Sequence, residues 1–189
     1  IDKSLLSVLT PTDTPEDPFY ILLLGVDKSE ERIGDYGENY RSDSMILARI
    51  DPKNKKATLV SIPRDTKVDL GQYGTNKINA AHFFGGPALA VKAVSELAGV
   101  PIAHYAEIDL DGFGSLVDAV GGVEVDVPIE INDDLAGGHV AQGKQTLNGE
   151  QALILCRSRH AYDQYGSGDM YRAANQRMVL SAIAKKLLS

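Results

Sequence analysis

Cysteine is scarce in the sequence and tryptophan is absent. The one cysteine, Cys156, lies in the apolar run ALILC, which is typical of a small buried side chain rather than of a nucleophile. A single cysteine excludes a disulfide framework and a metal site built from thiolates. Long apolar runs are missing too, because FYILLLGV and QALILC fall far short of the roughly 20 residues that a membrane-spanning helix needs.

The chain also lacks an excess of basic residues, since 26 acidic side chains against 19 lysines and arginines give a formal net charge of -7. Proteins that bind nucleic acid broadly do so by neutralising phosphates with a basic surface. We therefore expect no nucleic-acid partner, while a local basic site remains open. The content of 43% hydrophobic and 24% charged residues is typical of a globular protein.

The first 18 residues differ in composition from the rest of the chain. They contain three of the eight prolines and the polar string TPTDTPEDP, and the chain begins at IDKSLLSVLT without a methionine. This composition indicates a linker, and the missing methionine suggests that a membrane anchor upstream has been removed. We expect residues 1–18 to be this linker and residues 19–189 to form a single domain.

Strand-like and helix-like segments alternate from Phe19 onward. The predicted strands are FYILLLGVD, SMILARID, KATLVSIP, HYAEIDL and VEVDVPIEI, of which SMILARID and KATLVSIP form a hairpin through the turn PKNK. The predicted helices are PALAVKAVSELAGV, which ends at Gly99, and DGFGSLVDAVGG, with Asp109 or Asp111 as its cap. A third helix follows a capping box of Asn148 and Gln151, and a last helix runs from about Asp169 to Leu188. This order predicts an α/β fold, a layered α-β-α domain with a central mixed or antiparallel sheet flanked by helices.

Charged residues lie at the ends of the first three predicted strands. Asp27 ends the first strand, Arg41 and Asp43 come just before the second, and Arg64 follows the third. If neighbouring strands are antiparallel, the end of one meets the start of the next, and the third strand returns to the same edge. The sequence therefore predicts that these residues converge at one edge of the sheet.

Four arginines occur in the segment CRSRHAYDQYGSGDMYRAANQR. Arg157 and Arg159 are two residues apart, so an extended backbone would point both the same way. Arg172 and Gln176 are four apart on one face of the last helix, and Arg172 lies in its first turn, which favours an anion. Arg177 is rotated away from that face. Arg157, Arg159 and Arg172 are candidates for binding a phosphate group, and the alternative is that each pairs with a surface acid.

Arginines together with two carboxylates suit the chemistry of a pyrophosphate. The guanidinium fork matches phosphate oxygens, and Mg²⁺ is usually held by one or two carboxylates plus the substrate's phosphates.

Other motifs in the sequence give weaker indications of function. The four histidines, His82, His104, His139 and His160, lack the spacing of metal ligands, and no glycine segment has the spacing of a P-loop or dinucleotide fingerprint.

The sequence resembles the LytR-CpsA-Psr family of cell-envelope proteins. The resemblance is carried by ILLLGVD, RSDSM, SIPRD, NKINAAHFFGG, GGVEVDV, LNGEQAL, CRSRH and GDMYRAANQR, which follow the family's blocks in order from Phe19 to Leu188. Such proteins are α/β domains outside a membrane anchor, mainly in Gram-positive-type bacteria. They transfer a glycopolymer, such as a teichoic acid or capsule chain, from a polyprenyl-pyrophosphate carrier to peptidoglycan.

The resemblance also implies roles for single residues. Asp27 and Asp43 would be linked to Mg²⁺ or Mn²⁺, and Arg41 would lie at the rim of the site. The pyrophosphate would be bound by Arg64, Arg157, Arg159, Arg172 and Gln176. The sequence departs from the family's pattern in a long loop between Asp27 and Asp43, and in Asn175, where a basic residue is expected.

We therefore expect a phosphotransferase at the extracellular face of the cytoplasmic membrane. Arg64, Arg157 and Arg159 would stabilise charge on the leaving phosphate, and Asp43 would help to deprotonate the acceptor hydroxyl. The helices ALAVKAV and FGSLVDAV either line a groove for the lipid tail or form core. Two alternatives stay open: a Mg²⁺-dependent pyrophosphatase that passes the same phosphate to water, and a non-catalytic protein that binds lipid-linked wall polymers.

Overall fold

The computed structural model describes residues 3–26 and 42–188, with only the backbone given at 43, 110, 111 and 188. The chain forms two compact units, Ile1–Asp109 and Leu110–Ser189. No helix in the described ranges combines the length and the apolar content needed to cross a membrane.

The first unit is organised around a four-stranded sheet. Its elements are α1 (Lys3–Val8), β1 (Phe19–Val26), β2 (Ser42–Asp51), β3 (Lys56–Ile62), β4 (Lys67–Asp69), β5 (Thr75–Lys77), α2 (Ala80–Ala98) and β6 (His104–Asp109). The strand order is β3-β2-β1-β6, in which the β1–β2 and β2–β3 pairs are antiparallel and β6 runs parallel to β1. The sheet is therefore mixed, and the predicted hairpin of β2 and β3 is confirmed.

The registers place several strand ends at one edge of this sheet. Val26, the last residue of β1, pairs with Ser42 at the start of β2, after a bulge that leaves Asp43 between two paired positions. Ile62, the last residue of β3, pairs with Met45 near the same end of β2. The antiparallel pairing that the sequence analysis assumed is thus confirmed for these three strands.

The core of the first unit lies between the sheet and α2. Alternate residues of β1 point into it, namely Leu22, Leu24 and Val26, as a pleated strand requires. They pack in one cluster with Ala90, Val91 and Val94 of α2, all fully buried. The ALAVKAV segment therefore supplies core side chains, while its role in a lipid groove stays a prediction.

Helix α2 is two helical pieces joined at a kink. Gly85 and Gly86 have non-helical dihedrals, and Gly86 adopts φ 61° and ψ −159°, a combination that is open almost only to glycine. Pro87 then starts the second piece, where its missing N–H is not needed. The helix ends as predicted, with Gly99 in the left-handed region at φ 66° and ψ 30°.

Helix α1 was not predicted. It lies within the polar leader, and Leu5, Val8 and Leu9 pack against the core of the first unit. Thr10 also donates a backbone hydrogen bond to the carbonyl of Ile102, at 2.8 Å. The predicted division into a linker and one domain stays a prediction, but part of residues 1–18 contributes to packing.

The second unit is made of helices and two small ribbons. Its elements are α3 (Leu110–Ala119), β7 (Val123–Val127), β8 (Ile131–Asp133), β9 (Gly138–Val140), β10 (Gly143–Leu147), α4 (Gly149–Arg157) and α5 (Gly168–Leu188). β7 pairs with β10 and β8 with β9, both antiparallel. The prediction of one strand over VEVDVPIEI is wrong at its centre, because the strand is interrupted around Pro128, which has no N–H for a ladder.

Helix α4 begins with the predicted capping box. The Asn148 side chain accepts from the backbone N–H of Gln151 at 2.9 Å, and the Gln151 side chain accepts from the N–H of Asn148 at 3.1 Å. Gly149 approaches α3 so closely that a Cβ there would overlap the carbonyl of Gly114. The N–H of Gly149 also donates to Asp118 Oδ1 at 2.7 Å, so the start of α4 is fixed against α3.

Candidate anion-binding site

The first group of predicted residues lies at the sheet edge of the first unit. Arg64 follows the end of β3 by two residues and is half-buried. Its neighbour Asp65 pairs with Lys77 Nζ at 2.6 Å, and the hydrogen bond from Lys77 holds the pKa of Asp65 below its ordinary value, with the charges of Lys77 and Arg64 adding to the effect. This edge therefore carries both basic and acidic groups.

The predicted metal ligands are placed only in part. Asp27 and Arg41 lie outside the described residues, and Asp43 is described by its backbone alone, at the bulge of β2. Within the described ranges no group of three or more His, Cys, Asp or Glu side chains could hold a metal ion. The Mg²⁺ site thus stays a prediction, for which the backbone gives the position of Asp43 and nothing of its coordination.

Asp109 is a residue that the sequence reasoning did not connect with the site. It ends β6 and pairs with Val26, the last residue of β1, so its backbone lies at the same sheet edge as the start of β2. The only signal in the sequence was an acid at the end of the predicted strand HYAEIDL, and it was interpreted as a helix cap. Asp109 reaches this edge because β6 lies next to β1 and runs parallel to it, so the two strands end together.

The second group of predicted residues lies in the second unit, around the end of α4. Arg157 is the last residue of that helix and is exposed, Ser158 is fully buried, and Arg159 is exposed again. The chain thus presents both arginines to solvent on either side of a buried serine. Arg157 also complements the negative end of the helix dipole.

Arg159 and Arg172 meet at a single carboxylate. Asp169, near the start of α5, has its Oδ1 at 3.7 Å from Arg159 Nη1 and at 3.2 Å from Arg172 Nη2. The exposed fractions of the Asp169, Arg159 and Arg172 side chains are 48%, 49% and 14%. Two guanidinium groups that share one carboxylate oxygen lie close enough to bind one larger anion. The structure therefore brings these two predicted residues together, and Asp169 is a member that the sequence reasoning missed.

Gln176 and Asn175 hold the end of α4 from the side of α5. Gln176 Nε2 donates to the carbonyl of Cys156 at 3.3 Å, and Asn175 Nδ2 donates to the carbonyl of Leu155 at 3.2 Å. Gln176 thus contacts the backbone directly before Arg157. Its predicted contact with phosphate stays a prediction, because its amide N–H is directed at protein.

Asp133 makes the densest set of hydrogen bonds around the arginines. Its Oδ2 accepts from Ser158 Oγ at 3.0 Å and from the backbone N–H groups of Arg159 at 3.2 Å and His160 at 3.1 Å. Its Oδ1 accepts from the N–H of Ala136 at 3.2 Å. Burial acts to raise the pKa of Asp133, but these hydrogen bonds to the ionised form together hold the pKa below its ordinary value.

The burial and hydrogen bonds of Cys156 and His82 indicate that both residues have structural roles. Cys156 is buried, and burial raises the pKa of its thiol, so it is not a thiolate nucleophile. His82 Nε2 lies 2.8 Å from Glu107 Oε1, which also accepts from Tyr105 Oη at 2.6 Å. The buried role predicted for Cys156 is confirmed.

The chain is thus an α/β protein with a candidate site for a phosphate-like anion. The site is formed by guanidinium groups that are gathered on a fixed backbone segment. The sequence model of the LytR_cpsA_psr family matches residues 3–189. The chain belongs to that family, as its motifs indicated.

Individual relatives agree with this assignment. The chain is 41% identical over 175 residues to the polyisoprenyl-teichoic acid–peptidoglycan teichoic acid transferase TagU of Enterococcus faecalis, covering 92% of this chain and 55% of that protein. It is similar to the crystal structure of B. subtilis TagV, with a TM-score of 0.77, 35% identity and coverage of 92% of this chain and 66% of that one.

A further solved relative carries a ligand. The family protein YwtF (TagT), solved with bound octaprenyl pyrophosphate lipid, is matched with a TM-score of 0.72 and 31% identity, covering 94% of this chain and 68% of that one. These likenesses confirm the α/β fold with a central mixed sheet flanked by helices. The chain spans little more than half the length of the curated relatives, 55% and 58% of the first two.

Proposed function

We propose that this chain is the catalytic part of a phosphotransferase that moves a glycopolymer of the teichoic acid class from a polyprenyl-pyrophosphate carrier to peptidoglycan. The observation that carries the proposal is the meeting of Arg159 and Arg172 at Asp169 Oδ1. Paired guanidinium groups suit a pyrophosphate. A relative of this family binds a pyrophosphate lipid, and others are named as teichoic acid transferases.

The reaction is a displacement at phosphorus. An acceptor hydroxyl oxygen on peptidoglycan bonds to the phosphorus next to the glycopolymer, and the bond from that phosphorus to the bridging oxygen breaks. The carrier leaves as polyprenyl phosphate, and the polymer ends in a phosphodiester. Arg157, Arg159 and Arg172 stabilise the charge that develops on the leaving phosphate, which is where preorganised donors contribute most, and the same role for Arg64 stays a prediction from the sequence.

The acids have two roles in this proposal. Asp43 would take the proton of the acceptor hydroxyl, and Asp27 and Asp43 are the residues that would hold Mg²⁺ or Mn²⁺, which would neutralise further charge at the phosphates. The bulge at Asp43 supports this, because bulges commonly redirect a side chain next to an active site. Arg41 assists at the rim.

The setting of the reaction follows from its substrates. A carrier with a polyprenyl tail is confined to a membrane, and peptidoglycan lies outside it. We therefore place the protein in the cell envelope, at the outer face of the cytoplasmic membrane and attached by an anchor beyond this chain.

The first prediction concerns transfer itself. Arg159→Ala should lower the rate of polymer transfer about 100-fold, since removing one preorganised donor to a developing charge has effects of that order. The measurement uses a lipid-linked teichoic acid precursor and labelled peptidoglycan, with polymer attachment and phosphate release followed in parallel. Lys92→Ala is the control, because Lys92 is an exposed cation on α2 that pairs only loosely with Glu96 at 3.9 Å.

The same assay separates the alternatives. If phosphate is released at an equal rate without peptidoglycan, the protein is a pyrophosphatase and not a transferase. Carrier binding without any product from the wild-type protein would favour a non-catalytic binding protein. Equal transfer by wild type and Arg159→Ala would remove the arginine pair from the mechanism.

A further inference from the structure

We propose that Asp133 is a positioning residue, which fixes the backbone of Arg159 so that its guanidinium group lies beside Arg172 for phosphate binding. The proposal rests on the proposed function, since it concerns how the arginine pair is presented. Asp133 is the last residue of β8, 25 residues before Ser158, and only 5% exposed.

The carboxylate ties down the junction between α4 and a short 3₁₀ helix, His160–Tyr165, whose N-cap is Arg159. The last helical bond of α4 runs from the N–H of Ser158 to the carbonyl of Ile154 at 3.0 Å. The next two N–H groups, those of Arg159 and His160, are bonded by Asp133 Oδ2. One carboxylate oxygen thus accepts from three successive residues, with the Ser158 hydroxyl as the third donor. An ionised carboxylate has about four acceptor sites on its two oxygens, and Asp133 accepts four hydrogen bonds in all.

Arg159 is also held from its other side. A Cβ on Gly168, at the start of α5, would lie 2.7 Å from the carbonyl oxygen of Arg159. The N–H of Arg159 is therefore bonded by Asp133 while its carbonyl is packed against Gly168. With both flanking peptide groups fixed, the direction of the Arg159 Cα–Cβ bond is fixed too. An arginine loses less entropy on binding when its backbone is already ordered.

The side chain of Arg159 shows the result of this support. It is half exposed and still reaches Asp169 Oδ1, which Arg172 also contacts. Ser158 between the two arginines is fully buried, and its hydroxyl donates to Asp133. Asp133 therefore acts on the phosphate site through Arg159, without contacting the ligand itself.

The second prediction tests this with a double-mutant cycle. Asp133→Asn should weaken the binding of farnesyl pyrophosphate, measured by titration calorimetry, about tenfold, because an amide offers one acceptor oxygen and its NH₂ group cannot accept. In an Arg159→Ala background the same change should alter affinity less than about twofold. A residue that acts through Arg159 has nothing left to position, whereas general destabilisation would add in both backgrounds.

Two further variants complete the test. Asp118→Asn is the matched control, because it removes a carboxylate acceptor from the opposite end of α4, where Asp118 accepts from Gly149. Its affinity for farnesyl pyrophosphate should stay within about twofold of wild type. Gly168→Ala displaces Arg159 from the other side and should weaken binding as Asp133→Asn does, which keeps the test decisive if Asp133→Asn fails to fold.

The outcomes are distinct. If Asp133→Asn and Gly168→Ala bind as wild type does while Arg159→Ala binds weakly, the positioning role is wrong and the proposed function stands. If Asp133→Asn weakens binding equally with and without Arg159, the residue is structural only. If the wild-type protein binds no farnesyl pyrophosphate, the proposed function fails and this inference fails with it.

Discussion

Asn175 occupies a position where the sequence suggested a residue of the binding site and where the structure shows a packing role. The family's pattern led us to expect a basic residue there, beside Gln176. In the structure Asn175 is 2% exposed and donates to the Leu155 carbonyl and to Tyr162 Oη at 3.2 and 2.9 Å. A charged side chain at this buried position would need a partner that these two groups do not provide. The position belongs to the packing of α5 on α4.

The third prediction concerns the pH dependence of Asp133. Its pKa is lowered in the folded protein, so its contribution to stability is fully present above the unfolded value of about 4 and is lost as pH falls through the folded pKa. Wild type should therefore be more stable than Asp133→Asn at pH 7, and the difference should shrink below about pH 4. Urea unfolding at pH 7, 4 and 3 measures it.

A neighbouring acid provides the comparison. Asp134 is exposed, and Asp134→Asn should change the free energy of unfolding by less than about 0.5 kcal/mol at pH 7. A difference between wild type and Asp133→Asn that stayed constant down to pH 3 would contradict the ionised carboxylate as the stabilising form.

At the scale of elements, local patterns predicted most of the fold. The capping box at Asn148, the stop at Gly99 and the β2–β3 hairpin each depend on residues close in sequence, and each is confirmed. The bonds of Asp133 to Ser158 and its neighbours join residues 25 or more apart and leave no local signal. Asp169 and Arg172, at helical spacing of three, could have been paired from the sequence.

The fourth prediction tests the start of α4. Asn148→Ala removes the acceptor for the Gln151 N–H and should lower the free energy of unfolding by about 1 kcal/mol. Asn148→Asp keeps an acceptor at this position and should cost less than the alanine. Thermal and urea unfolding of both variants measure the difference, and equal losses would show that the cap's hydrogen bond is not what stabilises this helix end.

At the scale of the whole molecule, an acidic chain binds anions only where basic side chains are concentrated. The net charge of -7 and the arginines around α4 are compatible because such attractions are local and screened over about 10 Å at ordinary salt. The fold class and the antiparallel hairpin of β2 and β3 were predictable from periodicity and turns, whereas the parallel pairing of β6 with β1 joins segments far apart in sequence and was not. The metal-linked roles of Asp27 and Asp43 stay predictions, as does that of Arg41.

The fifth prediction measures ligand linkage in the intact chain. Inorganic pyrophosphate at 100 times its dissociation constant should raise the free energy of unfolding by about 2.7 kcal/mol, because it binds only the folded state. Added salt should reduce the gain. The measurement is a thermal shift with and without Mg²⁺.

Two variants divide this effect into its parts. Arg159→Ala should lose most of the stabilisation in EDTA, and Asp43→Asn should lose only the increment that Mg²⁺ adds. A full Mg²⁺ increment in Asp43→Asn would argue against Asp43 as a metal ligand.

The kink in α2 has a consequence for how the first unit acquires its structure. Gly85 and Gly86 separate two helical pieces, and each must nucleate on its own. Isolated helices shorter than about 12–15 residues are marginal in water, so neither piece persists by itself. Helical order between Ala80 and Ala98 therefore depends on a formed sheet surface with Leu22 and Leu24 to receive it. The helix and the sheet that it covers are therefore stabilised together, as one packed unit.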